Sequence, residues 1–371
     1  MVDALKKLDK KFLIIAGSII VLPVMLIIIL AIIQGCSNRK ITYEKYETKM
    51  ISAFEKYLKD ENKVPMNEAE TVTIKLDKLV ESGYIKSTKK MLDDDTCNGS
   101  VTVRRNGSSV EQNNGGFLNY TVDLNCKDYS TIHLIDKLEE NIATSESGLY
   151  LVGEDYIFKG DSPKNYINFF ETMYRIVSID KDGMLKLIRV EPELTRRVWD
   201  NKFNVEVNHN YGKNIYKDSE ILKVLLNDYT NSKRVNKSSR EHIVAYDVCV
   251  GKRGISDYSI SRDIDCSERL EKQVISLINV SDFALASLDQ DCNSVVSKSC
   301  NNYNYLSEIA SSTWTLNAVS DNTYQAFLIS AGLAEIQNTS MYNEYNIVIY
   351  IDGNELYTEG TGSNIDPYIL K

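Results

Sequence analysis

From Phe12 to Ile33 the chain reads FLIIAGSIIVLPVMLIIILAII, with no charged side chain and with Ser18 as its only polar residue. A helix rising about 1.5 Å per residue over that run is roughly 33 Å long, enough to cross the ~30 Å hydrocarbon core of a bilayer. Buried helices of soluble proteins rarely stay apolar on every face for so many turns. Lys6, Lys7, Lys10 and Lys11 precede the run, set against only Asp3 and Asp9. Because the positive flank stays in the cytoplasm, the sequence predicts a cytoplasmic tail at 1–11, a transmembrane helix at 12–33 and an exterior remainder. Two other fates compete. A cleaved signal peptide has an apolar core of about 7–15 residues, shorter than this one. A lipoprotein signal would modify Cys36, where Gly35 suits the preceding small position and Gln34 fits it poorly. The retained single-pass anchor is the expectation, with Pro23 a tolerated kink.

An exterior location gives the cysteines a meaning. Apart from Cys36 there are six, in three sequence-local couples: Cys97 with Cys126, Cys249 with Cys266, and Cys292 with Cys300. Outside the cytoplasm such couples read as disulfides. Zinc is the rival, but no C-x-x-C occurs and His133, His209 and His242 lie far from the cysteines. A net charge of −9, with no basic stripe interleaved with aromatics, excludes nucleic acid as a partner.

Beyond the span, residues 41–61 carry Ile41, Met50, Ile51, Phe54, Tyr57 and Leu58 largely on one side at spacings of three and four, predicting an amphipathic stalk helix. Residues 71–85 predict a short strand and a helix stopped by Gly83. SVTVRRN (100–106) and FLNYTVDLNC (117–126) alternate like paired strands, so Cys97 and Cys126 would fasten a hairpin across its open end. In outline this membrane helix, amphipathic helix and small sheet at 34–130 resembles a type IV pilin. No leader-processing site or early glutamate stands between Lys11 and Gln34, so the resemblance is one of shape.

A connector (131–148), with a short helix around Ile132–Asn141, leads to a larger domain at 149–371. Its clearest signal is YRIVSIDKDGMLKLIRVE (174–191), two apolar runs joined at Asp182-Gly183, a strong hairpin sign. Residues 217–229 predict a helix capped by Asp218 or Ser219. QVISLINVSDFALAS (273–287) predicts a strand running into a helix capped by Ser281. TWTLNAV (313–319), YQAFLISAG (324–332) and YNIVIYID (345–352) predict the closing strands.

The order of Gly148-Leu149-Tyr150, Tyr156–Gly160, the 174–189 hairpin, Trp199-Asp200, Ala286–Asp289, Cys300–Leu306, Trp314-Thr315, Gly360–Ser363 and Asp366-Pro367-Tyr368 resembles bacterial surface proteins with a C-type-lectin-like domain. The resemblance covers about 148–371, with Tyr174 standing where such domains carry Trp. It implies a mixed α+β domain with two helices, a twisted antiparallel sheet, and first and last strands close together. It also implies binding of a surface protein or glycan, by analogy of fold alone.

The chemistry-bearing motifs are sparse. Trp199-Asp200-Asn201 has the wrong order for a lectin calcium strand and reads as a packed tryptophan. Asp289, Asp291 and Asn293 offer alternating oxygen ligands, a weak Ca²⁺ candidate without the glycine and glutamate of an EF-hand. Gly251-Lys252-Arg253-Gly254 is too short to cradle phosphate, and His242 reads as a packed or surface side chain. No metalloprotease, hydrolase or Walker signature occurs. The expectation is therefore a non-enzymatic, α+β, single-pass surface protein with an adhesive or ligand-binding head. The alternatives are a pilin-like or envelope structural component, and an extracellular enzyme on a lectin-like fold, as in formylglycine-generating enzymes.

Overall fold

A computed structural model of the chain describes residues 40–106, 117–257, 259–289, 291–292, 294–295, 304–309 and 312–371. The Phe12–Ile33 run, Cys36, Asn293 and Cys300 lie outside these residues. Among the described residues no helix is long and apolar enough to cross a membrane. The chain forms two compact units. One takes its described residues from 40–63, 74–101 and 122–130, the other from 64–73, 102–121 and 131–371.

The smaller unit is built on helix α1 (Tyr43–Asp60). Thr42 caps it by accepting the Lys45 amide, and Tyr46, Met50, Phe54, Tyr57 and Leu58 are buried along one face. Glu47 is buried too, and its Oε1 accepts the Tyr129 hydroxyl at 2.9 Å while the Tyr129 ring stacks on Tyr43. Strand β1 (Thr71–Lys75) leads into α2 (Leu76–Glu81), which ends where Gly83 takes φ +75. After the single turn α3 (Thr88–Met91) come strands β2 (Asn98–Asn106) and β3 (Phe117–Asn125) of a sheet of order β1-β2-β3, from which residues 74–75, 98–101 and 122–125 belong to this unit. The Cys97–Cys126 disulfide closes the ends of β2 and β3.

In the larger unit, α4 (Leu134–Glu139) is followed by β4 (Gly148–Val152), β5 (Asp155–Lys159), β6 (Tyr166–Phe169), β7 (Thr172–Ile179), β8 (Met184–Arg189) and β9 (Glu193–Val198). Helix α5 (Glu220–Thr230), capped by Ser219, precedes β10 (Tyr246–Cys249), α6 (Arg262–Asp265), β11 (Arg269–Gln273) and α7 (Val280–Leu285). The chain closes with β12 (Ser312–Ala318), β13 (Gln325–Ser330), β14 (Leu333–Asn338), β15 (Tyr342–Tyr345), β16 (Val348–Asp352), β17 (Tyr357–Glu359) and β18 (Tyr368–Leu370).

One sheet runs β16-β8-β7-β6-β18-β17, with the β4–β5 hairpin joined to β7 through β5; the other runs β14-β13-β12-β15-β9. Strands β7 and β8 are buried on both faces, which is why their sequences are apolar runs rather than strict alternations. The Asp182-Gly183 turn joins them, with Gly183 at φ +80 and the Asp180 carboxylate accepting the Asp182 and Met184 amides. The last strand, β18, lies parallel to β6, pairing Tyr368 with Ile167 near the beginning of this unit's sheet.

The mixed α+β class is therefore observed, with several local corrections. The sheets are not purely antiparallel, since β12–β15 and β6–β18 pair in parallel. The apolar run after Gln273 is not a strand; it threads through single bridges from Ser276 to Val348 and from Ile278 to Thr315. Helix α7 is capped by Asn279 rather than Ser281, because Asn279 and Asp282 form a reciprocal capping box while the Ser281 hydroxyl turns to Asp265. The run at 345–352 breaks at Asn346-Ile347 into β15 and β16, which serve different sheets.

Candidate functional site

The larger unit contains a polar cleft of about 810 Å³. Its floor begins with Lys186, an inward residue of β8 whose Nζ lies 2.5 Å from Asp282 Oδ2 and 3.4 Å from Asn279 Oδ1. Asp282 is held by the capping box of α7, and its other oxygen accepts Arg262 at 2.9 Å. The same guanidinium donates to Asp155 Oδ2, also at 2.9 Å. Two cations and two carboxylates thus neutralise one another. A buried charge left alone would cost several kcal/mol, so this chain of pairs is what lets β8 carry a lysine inward.

The electrostatics follow from that burial. Burial pushes the Lys186 amine below its ordinary value; Asp282 pulls the other way, and the neighbouring Arg262 charge adds to the depression. Burial alone would raise Asp282, but Lys186 and Arg262 outweigh it and hold the carboxyl below the usual range. Since arginine keeps its proton, Lys186 is the cation of this group most easily neutralised.

A wall of tyrosines stands beside the charges. Tyr246 stacks on Tyr350 with centroids 4.0 Å apart, and Lys186 Nζ lies 5.7 Å from the Tyr350 ring. The Tyr246 hydroxyl donates to Asp180 Oδ2 at 2.7 Å. Tyr350 is only 5 % exposed. Burial, reinforced for Tyr246 by Asp180, raises both phenols, so both stay protonated donors. The exposed rim adds Glu154, Asp182, Asp247 and Asp263. The arrangement can bind a polar ligand, with donors at the floor, an aromatic face on one wall and carboxylates at the mouth.

Support comes from a second buried cluster. Arg253 is wholly buried; its Nε donates to Asp265 Oδ1 at 2.5 Å and another nitrogen donates to the Ser261 carbonyl at 3.0 Å. Asp265 also accepts Asn317 at 2.8 Å and the Ser281 hydroxyl. The Cys249–Cys266 disulfide fastens the end of β10 to the end of α6 at the cleft edge.

Of the residues singled out in the sequence, Cys249 and Cys266 border this cleft and the others sit elsewhere. Cys97–Cys126 and Cys249–Cys266 are disulfides; Cys292 is disulfide-bonded as well, while Cys300 and Cys36 lie outside the described residues. Asp289 Oδ1 accepts the Asp291 amide in a tight turn, and Asn293 of that calcium candidate lies outside the described residues. Among the described residues, the one grouping of three possible metal ligands is Asp94, Cys97 and Cys126, and its sulfurs are committed to the disulfide. Trp199 is fully buried, donates to the Thr315 carbonyl at 3.0 Å and packs on Tyr216, a core role. Gly251 and Gly254 flank the buried Arg253 and form no phosphate cradle.

Sequence reasoning missed Lys186, Asp155, Arg262, Asn279, Asp282, Tyr246 and Tyr350, which are spread over about half the chain. One signal was available: a lysine inside the apolar MLKLIR run, in a strand too hydrophobic to have a solvent face. Comparison with known protein families, curated proteins and solved structures finds no match for this chain.

Proposed function

We propose that this chain is a single-pass, membrane-anchored bacterial surface protein whose larger unit is a lectin-like head that binds a polar ligand in the cleft around Lys186, Tyr246 and Tyr350. The observation that carries the reading is the 810 Å³ cleft itself, with its charge-paired floor of Lys186, Arg262, Asp155 and Asp282 beside the stacked Tyr246 and Tyr350 rings. Polar groups placed this way have hydrogen-bonding capacity that a ligand or water must fill. Support for the lectin-like assignment comes from the mixed α+β make-up of the larger unit and from the Cys249–Cys266 disulfide in the irregular stretch between β10 and β11, whereas the last strand pairs with β6 rather than with the first strand, β4. Support for exterior display comes from the Phe12–Ile33 run with its lysine flank and from the disulfides.

Two experiments test the proposal. Protease applied to intact cells should release fragments from beyond residue 60; protection of that region would overturn the topology. The exterior portion should bind a restricted set of ligands on glycan and surface-protein arrays equally with and without Ca²⁺. Tyr246→Ala should weaken that binding about tenfold or more, the loss of one aromatic contact and one hydrogen bond. Binding that needs Ca²⁺, or that ignores Tyr246, would move the site away from this cleft.

A further inference from the structure

We propose that the folded chain joins Lys186 to Asn279 through an intramolecular isopeptide bond, with Asp282 as the proton carrier. An amine, a carboxamide and a carboxylate meet here in a water-poor place: Lys186, Asn279 and Asp282 are 7 %, 3 % and 1 % exposed. Lys186 Nζ is 3.4 Å from Asn279 Oδ1 and 2.5 Å from Asp282 Oδ2. Asp282 Oδ2 also accepts the Asn279 backbone amide at 3.2 Å, so one carboxylate oxygen touches the attacking amine and the backbone of the residue it attacks.

The amide is held for attack. Its Nδ2 donates to the Cys249 carbonyl at 2.9 Å, and its oxygen accepts the backbone N–H of Asp282 in the capping box as well as Lys186. Hydrogen bonds to that oxygen draw charge from Cγ and stabilise the oxyanion formed when nitrogen adds to it. Fixing the groups at contact distance removes the entropic cost of bringing them together, an effect worth up to about 7–11 kcal/mol in well-oriented intramolecular reactions. Burial and the neighbouring Arg262 charge both favour the neutral, nucleophilic form of the Lys186 amine.

The step balances without a co-reactant. Asp282 takes a proton from the Lys186 ammonium, and the free amine adds to Asn279 Cγ, forming the Nζ–Cγ bond. A proton passes from the attacking nitrogen to Nδ2, the Cγ–Nδ2 bond breaks, and ammonia leaves with the proton held by Asp282. The products are a secondary amide, an ammonium ion released through the adjoining cleft, and an Asp282 carboxylate still paired with Arg262 at 2.9 Å. The bond ties β8 to the segment before α7, 93 residues away, which resists unravelling of a head held at the cell surface.

Peptide mass mapping of the full-length protein, after thiol reduction and denaturation, tests this independently of ligand binding. The expected result is a branched peptide joining the Lys186 and Asn279 fragments, lighter than their sum by one ammonia. It should be absent from Lys186→Arg, which keeps a cation, and from Asp282→Ala, which keeps both reacting groups. Separate, unmodified Lys186 and Asn279 peptides in the wild-type protein would overturn the proposal. So would ammonia loss confined to Asn279 without a branch, or a branch lighter by one water, which would mark Asp282 as the acyl partner.

Discussion

His242 Nδ1 lies 2.8 Å from Glu355 Oε2, and the other Glu355 oxygen accepts Asn119 Nδ2 at 2.6 Å. Burial of the ring, packed 4.7 Å from Phe170, disfavours its charge, but the hydrogen bond and charge of Glu355 outweigh that, with Glu241 adding to them. The pKa therefore stands above the ordinary 6.5. A group raised on folding stabilises the native state fully below its unfolded value, and that contribution disappears as pH climbs through the folded value. Stability should therefore fall from about pH 6.5 upward across this titration. His242→Gln should flatten that part of the profile in urea titrations taken at several pH values. Identical slopes for the two proteins would show that Glu355 does not hold the imidazolium. The sequence marked His242 as a packed or surface side chain; it is half-buried, and its partner lies 113 residues away, where no local pattern could name it. The same holds for Lys186 and Asp282, which are 96 residues apart.

Helices and hairpins were the most legible elements, because their signals are local. The three- and four-residue spacing placed α1, and the alternation on either side of 107–116 placed β2 and β3. Asp182-Gly183 placed the β7–β8 turn. What local pattern lost were short strands whose partners are remote. Strand β18 is three residues long and depends on the Gly360–Ser363 turn, where the Gly362 carbonyl accepts the Tyr166 amide at 2.8 Å. Gly362 has φ +77, and a Cβ there would come within 2.4 Å of the Tyr368 ring and 2.5 Å of the Lys164 carbonyl. Gly362→Ala should therefore destabilise the larger unit by roughly 1–3 kcal/mol in chemical denaturation. An unchanged midpoint would mean that the C-terminal strand contributes little. Replacing both Cys249 and Cys266 by serine opens a link across 17 residues and should cost about 3 kcal/mol, lowering the denaturation midpoint of the larger unit.

Across the whole molecule, the disulfide pattern follows the chain's division into units. Cys97–Cys126 belongs to the smaller one and Cys249–Cys266 to the larger. Non-reducing peptide mapping should recover both as separate pairs, together with Cys292–Cys300; a cross-pair between the first two would contradict the described fold. What the sequence determined by itself was whatever depends on neighbours along the chain. That covers the apolar run at Phe12–Ile33, the amphipathic face of α1, the couples Cys97–Cys126 and Cys249–Cys266, the Asp-Gly turn and the mixed α+β class. Only the tertiary structure decided which strands share a sheet, where parallel pairs arise, and that Lys186, Arg262, Asp155 and Asp282 neutralise one another on the floor of one cleft. The physical reason is range. Periodicity and turn chemistry act over a few residues, whereas a buried charge is tolerable only beside a counter-charge, and folding brings that partner from anywhere in the chain.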